Sequence, residues 1–219
     1  TCWGQVSSST ITITLVVSLH IVMNKLPLNP ITLHGKISVL QPMESCHHDV
    51  LFSAIRNPEM QRYLLLPLDE ERTYTEWFDN ALSEMNQGES LAFVIRDIGE
   101  GNIVGCTRLM NYNTIHSSVE IGWTMIALEC WRKGYSRESK LLLLSHAFEQ
   151  LQIMRVQITT DINNSANMQL LESLGAHLDG ILRKERRLPN GTFRDSAYFS
   201  VLAEEWPSIK INNSDCFTV

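Results

Sequence analysis

The segment from Val119 to Leu151 constrains the fold most. It reads as a strand, a charged loop with a single glycine, Trp131-Arg132-Lys133-Gly134-Tyr135-Ser136, and then a leucine-rich helix. Leu141, Leu144, Phe148 and Leu151 recur at helical spacing, and Leu142 and Leu143 widen that stripe. The period predicts a buried helix from Ser139 to Gln150, covered by other elements. A strand that feeds a glycine loop opening a helix turns backbone N–H groups outward at the positive end of the helix dipole, which suits an anion. Gly134 permits a positive φ or close backbone approach, and the small Ser136 keeps the first turn open and offers a hydroxyl. Neither a Walker loop nor a dinucleotide-binding fingerprint is present. From these residues alone, a charged turn and a phosphate-cradling loop both stand.

The surrounding pattern supplies the rest of an α/β (α+β) domain. Residues 31–40 read as a strand or short hairpin, 42–60 as a helix stopped by Asn57-Pro58, and 71–88 as a second helix ending at Gly88. Strands follow at 91–97, 102–112 and 118–126, the first two forming a hairpin across the turn Ile98-Gly99-Glu100-Gly101. A strand at 155–161, a helix at 164–176 capped by Asn164 and closed by Gly175, and a hairpin turning at Pro189-Asn190-Gly191 complete the order. The expected architecture is a single domain with a central mixed, mostly antiparallel sheet flanked by helices. It spans residues 23–210, after an upstream extension at 1–22 and before a tail at 211–219. The apolar run at 11–23 is too short and too polar to span a bilayer comfortably.

A formal net charge of −6 does not suit duplex nucleic acid, so an anion site must be local. Five cysteines lie at irregular spacings without a C-x-x-C pair, which reads as reduced thiols in a cytoplasmic protein. Cys46-His47-His48-Asp49 tempts a metal reading, but consecutive residues do not share a helical face. The run Arg183, Lys184, Arg186, Arg187 and Arg194 is split over two strand faces with no interleaved aromatics, so it reads as mostly solvated.

The stretch VEIGWTMIALECWRKGYSRESKLLLLSHAFE, followed by RVQITTDINNSANMQLLESLGAHLDG and the strand motif Asp195, Tyr198, Ser200, Leu202, resembles the GNAT N-acetyltransferases, nearest the RimJ/RimL-type branch. The resemblance runs from about Leu28 to Trp206. It implies an enzyme that moves an acetyl group from acetyl-CoA to a primary amine, a protein N-terminus or a small molecule, by direct attack in a ternary complex. It implies no metal, nucleic acid or membrane partner, and a monomer or homodimer. The family's acyl-CoA loop, [QR]-x-x-G-x-[GA], falls on Trp131 to Ser136, with Trp131 and Ser136 departing from the pattern. The resemblance therefore assigns the pyrophosphate to Gly134, Tyr135 and Ser136, with charge from Arg132, Lys133 and Arg137.

The same resemblance puts Asn164 at the pantetheine arm. Asn167 stands where the branch has a proton-donating Ser. An amide donates a hydrogen bond but is no useful acid, so Tyr198, Ser165 or water are the candidates for the proton. Asn167 also motivates a rival reading, an acyl-CoA-binding protein with decayed catalysis; a polyamine- or aminoglycoside-type acetyltransferase is another. Glu120 lies where the branch often places a carboxylate. Its chemical role would be to take the proton of an amine that attacks only as the free base. Its ordinary alternative is a strand-face pair with a cation such as Arg108. Backbone N–H groups at Trp123, Thr124 and Met125 would stabilise developing negative charge.

Overall fold

The strands expected between 91 and 126 form the middle of an eight-stranded sheet in a computed structural model of the chain, which describes residues 28–217. The extension at 1–22 lies outside the described residues. Leu33–His34 (β1) and Ser38–Pro42 (β2) make a hairpin at one edge. Leu91–Asp97 (β3), Ile103–Asn113 (β4) and Ser118–Ile126 (β5) form an antiparallel meander beside it. Arg155–Asp161 (β6) pairs parallel to β5, and the hairpin His177–Arg187 (β7) and Phe193–Leu202 (β8) closes the other edge. The order is β1-β2-β3-β4-β5-β6-β8-β7, and every pairing except β5–β6 is antiparallel.

Helices cover the sheet unequally. His48–Ile55 (α1) and Glu71–Asn86 (α3) bury Leu51, Ile55, Tyr74 and Phe78 against Val94 and Cys106. Tyr135–Ser145 (α4) and Ser165–Leu174 (α5) bury Leu141, Leu144, Leu171 and Leu174 against Phe93, Ile121, Ile158 and Phe199 on the opposite side. Strand alternation decides which residues reach which layer. Val119 and Ile121 enter the α4–α5 core, so Glu120 faces the other way.

Three boundaries differ from the sequence reading. The helix expected over 42–60 breaks into a short 3₁₀ turn at Ser45–His47, then α1, then Pro58–Gln61 (α2). Proline cannot sit inside a helix but suits its first position, and the Asn57 side chain caps the new start by accepting from the Glu59 N–H at 2.9 Å. The helix expected from Ser139 begins at Tyr135, because Gly134 at φ +97° is its N-cap residue. It then widens into a π turn over His146–Gln150. Trp206–Asn212 (α6) was not expected and docks Trp206 and Ile209 on the α4–α5 core, with Phe217 packed edge-on against Trp206 at 6.1 Å. Among the described residues no helix is long and apolar enough to cross a membrane.

Candidate functional site

The parallel pair β5–β6 does not stay paired. Its rungs run from Ser118–Arg155 to Ile121–Ile158 and stop, while β5 continues to Ile126 and β6 to Asp161. The two carboxyl ends therefore part and leave one edge of β5 outside the ladder. The cause lies in β5. Its register against β4 slips between Cys106–Met125 and Arg108–Gly122, and Trp123 takes φ +49°. A bulge of this kind bends its strand and re-aims side chains. Crevices outside the carboxyl ends of neighbouring parallel strands are where α/β sheets bind ligands.

The glycine loop lies just after this end of β5. Arg132 at φ +62° and Gly134 at φ +97° bracket the exposed Lys133. Such alternation curls successive amides toward one side, as in anion-binding nests. The first intrahelical bond of α4 is from the Glu138 N–H to the Gly134 carbonyl at 2.9 Å, so the amides of Tyr135, Ser136 and Arg137 precede it. The loop is fixed from behind. Trp131 Nε1 donates to the Ile126 carbonyl at 2.7 Å, and the Tyr135 hydroxyl donates to Asp97 at 2.7 Å. That bond, with the Glu100 N–H, holds the Asp97 carboxyl below its ordinary range. A Cβ on Gly134 would lie 3.2 Å from Ile37 Cδ1 at a backbone angle that L-residues disfavour. Gly134→Ala is therefore expected to lower the unfolding free energy by about 1–2 kcal/mol, read from the urea midpoint.

The N-terminal half of α4 also holds two buried charges. Glu138 is 2% exposed and accepts from the N–H groups of Lys36, Ile37 and Ser38 and from the Ser38 hydroxyl. Lys140 is also 2% exposed, and its Nζ donates to Ser136 Oγ at 2.8 Å. Burial lowers the pKa of Lys140 to about 8. Arg137 turns away from the loop, and its guanidinium donates to Ser173 and Asn213.

Glu120 sits beside the strand split, half-buried, and accepts from Asn111 Nδ2 at 2.8 Å. It does not pair with Arg108, which instead binds Glu84 on α3 at 2.5 Å and the Ser90 hydroxyl at 3.3 Å. Register puts Glu120, Gln157, Thr159, Ser200 and Tyr198 on one face of the sheet. Tyr198 is two strands from Glu120, roughly 10 Å across the sheet. Its hydroxyl donates to Glu185 at 3.2 Å, and burial with that carboxylate raises its pKa. Asn164 caps α5 by accepting from the Asn167 N–H at 3.2 Å, so both stand just after the parted end of β6.

Other candidates have structural partners. Burial pushes the Cys106 thiol up to about 12, which leaves no nucleophilic thiolate at neutral pH. His47 accepts from the Glu44 N–H at 3.0 Å, and His48 meets Asp49 and Thr75. Among the described residues no group of three His, Cys, Asp or Glu side chains converges as a metal site would. Arg194 is buried, bound to the Ser196 hydroxyl and the Tyr63 carbonyl.

Residues 39–177, more than half of the chain, match the Acetyltransferase (GNAT) domain family. The chain is 24% identical over 178 residues to the uncharacterised N-acetyltransferase p20 of Bacillus licheniformis, covering 80% of this chain and 98% of that one. The solved structure of a GCN5-related N-acetyltransferase from Brucella melitensis superposes with a TM-score of 0.75 at 25% identity, over 84% of each chain. Mycobacterium smegmatis RimJ, solved in complex with CoA-disulfide, superposes with a TM-score of 0.74 over 89% of this chain and 98% of that one; at 17% identity the likeness is one of fold.

Proposed function

The chain belongs to the GNAT acetyltransferase family, and from that premise we propose that it transfers an acetyl group from acetyl-CoA to a primary amine by direct attack in a ternary complex. The observation that carries this reading is the parting of β5 from β6 beyond Ile121 and Ile158, with the Gly134 loop after one strand, Asn164 after the other and Glu120 at the fork. Acetyl-CoA, when bound, supplies the acetyl group as an activated thioester. The residues present fit it. The amides of Tyr135, Ser136 and Arg137 and the Ser136 hydroxyl offer donors to a pyrophosphate, and Arg132 and Lys133 add exposed positive charge. The Arg137 side chain is committed to Ser173 and Asn213, so this residue contributes its backbone. The unpaired edge of β5 at Trp123, Thr124 and Met125 offers backbone groups to an extended amide-bearing arm, and Asn164 flanks it from the other strand.

Glu120, oriented by Asn111, takes the proton from the acceptor amine, directly or through water. Asn167 offers an amide N–H to the leaving sulfur, and Tyr198 is the candidate proton donor. No covalent enzyme intermediate is needed: holding both reactants in near-attack geometry supplies several kcal/mol by itself.

The test is release of free thiol from acetyl-CoA against a panel of amines. Glu120→Gln is expected to lower kcat/KM by about 100-fold while leaving the CoA dissociation constant within about twofold. Tight CoA binding without turnover on any amine would instead favour a CoA-binding protein with decayed catalysis, the reading that Asn167 motivates.

A further inference from the structure

Trp131 departs from the family pattern, and the fold does not bury it: 46% of the residue is exposed. The ring is nonetheless held in place. Its Nε1 donates to the Ile126 carbonyl at 2.7 Å, and the Trp131 backbone N–H donates to the Leu128 carbonyl at 3.1 Å. The direction of the Ile126 carbonyl fixes where the indole lies. The Ala127 N–H donates to the Val104 carbonyl of β4 at 2.8 Å. In a trans peptide the N–H and the preceding C=O point opposite ways, so the Ile126 carbonyl points away from β4. The neighbour of β5 on that side is β6, whose ladder with β5 ends at Ile121. The tied edge of the indole therefore sits at the far end of the open edge of β5. The rest of the ring stands where that edge meets the Gly134 loop.

On the acetyl-transfer reading, the amides of Tyr135, Ser136 and Arg137 take the pyrophosphate of acetyl-CoA, and the open edge of β5 takes its amide-bearing arm. The group that joins those two parts is the pantoyl segment. Its geminal methyls are the first apolar atoms after the phosphates. An apolar surface is what this junction needs, and the Trp131 ring is the exposed aromatic side chain there.

We infer that Trp131 is a cofactor-binding residue whose exposed indole packs on the pantoyl methyls of CoA, so that it holds the arm and not the nucleotide. The inference rests on the acetyl-transfer reading above. Methyl groups that settle on an aromatic face leave water without stranding a polar atom. The bond to Ile126 holds the ring before any ligand arrives, so little side-chain freedom is left to lose on binding. The Gln or Arg of the family pattern offers neither an apolar face nor that rigidity. Arg132 and Lys133, exposed beside the ring, are left for the phosphates.

The experiment titrates the full chain by calorimetry with three probes. They are CoA; 4′-phosphopantetheine, which keeps the pantoyl arm and drops the nucleotide; and adenosine 3′,5′-bisphosphate, which does the reverse. Trp131→Gln is expected to weaken CoA and 4′-phosphopantetheine by about tenfold each and to leave the bisphosphate within about twofold. Trp131→Phe, which keeps an aromatic face, is expected to stay within about threefold of wild type for every probe. Indole fluorescence gives a second readout: 4′-phosphopantetheine is expected to shift wild-type emission to the blue and to leave the emission of Trp131→Gln unshifted. A loss confined to the bisphosphate would assign the ring to the adenine and overturn the inference. Equal loss of all three probes, a phenylalanine variant as weak as the glutamine one, or failure of wild type to bind 4′-phosphopantetheine would overturn it as well. Binding and emission are read without turnover. Trp131-dependent binding of the arm with no acetylation of any amine would leave this inference standing and remove the acetyl-transfer reading instead.

Discussion

Glu138→Ala is expected to lower the unfolding free energy by about 4 kcal/mol and to move the urea midpoint down by about 2 M. The Glu138 carboxylate does not face solvent. It lies inside the turn that joins β1 to β2, where it accepts from Lys36 N–H at 2.7 Å, Ile37 N–H at 3.0 Å, Ser38 N–H at 2.8 Å and Ser38 Oγ at 2.6 Å. Lys36 is exposed, so water replaces the carboxylate there. Ser38 is fully buried, and its amide and hydroxyl lose their acceptor outright. At about 1–3 kcal/mol for each stranded donor, Ser38 alone accounts for most of the loss. The turn is built around this one side chain. A Cβ on Gly35 would lie 2.4 Å from the carboxyl carbon of Glu138, a distance no packed atom tolerates. Glu138→Gln keeps one carbonyl acceptor and is expected to lose about half as much. A drop below 1 kcal/mol in the alanine variant would mean that the turn does not depend on the carboxylate. A loss of this size is a large fraction of the stability of an ordinary domain.

Glu138 also shows where the sequence stops being legible. Local periodicity located β3, β5 and β6 to the residue, because β-branched alternation bounded by turns is a short-range signal. The same reasoning failed at 135–140. Glu138 and Lys140 are charged residues beside the apolar stripe of the helix, and nothing in the local pattern marks them as buried, yet both are. What satisfies Glu138 is about a hundred residues away in sequence, in a glycine turn whose shape no local pattern encodes. The site divides in the same way. The Gly134 loop and the Asn164 cap could be read from residue types at fixed offsets. The end of the β5–β6 ladder could not, because it depends on a bulge in one strand and the pairing partner of another. Arg108 is a strand cation that could mate with Glu120, but its partner comes from α3, a helix that sequence spacing does not bring to β4.

Lys140→Met is expected to stabilise the protein below pH 8 by up to about 3 kcal/mol, and the advantage is expected to vanish by about pH 10.5. Burial lowers the pKa of Lys140 from 10.5 to about 8, and among the described residues the ammonium has a single hydrogen bond, to Ser136. Below pH 8 both folded and unfolded chains carry the proton, so the folded state bears the whole cost of a desolvated charge. Between pH 8 and 10.5 the folded chain has released a proton that the unfolded chain still holds. The unfolded state then binds more protons, and wild-type stability rises with pH across that window. A difference of 2.5 in pKa corresponds to about 3 kcal/mol at 1.36 kcal/mol per unit. Methionine matches the length of the lysine stem without the charge, so it removes the cost and keeps most of the packing. Urea midpoints of the two proteins, compared at pH 7, 9 and 10.5, isolate this group, because other titrations are shared. A gap that stays constant with pH would show that the lysine is not buried as a cation. A destabilising charge kept inside α4, with its ammonium reaching Ser136 in the first turn, calls for a compensating role, and the proposed phosphate loop supplies one. With Lys140 donating to Ser136 Oγ, the serine hydroxyl proton is free to point outward. The more stable methionine variant is therefore expected to bind CoA about tenfold more weakly at pH 7, measured by calorimetry.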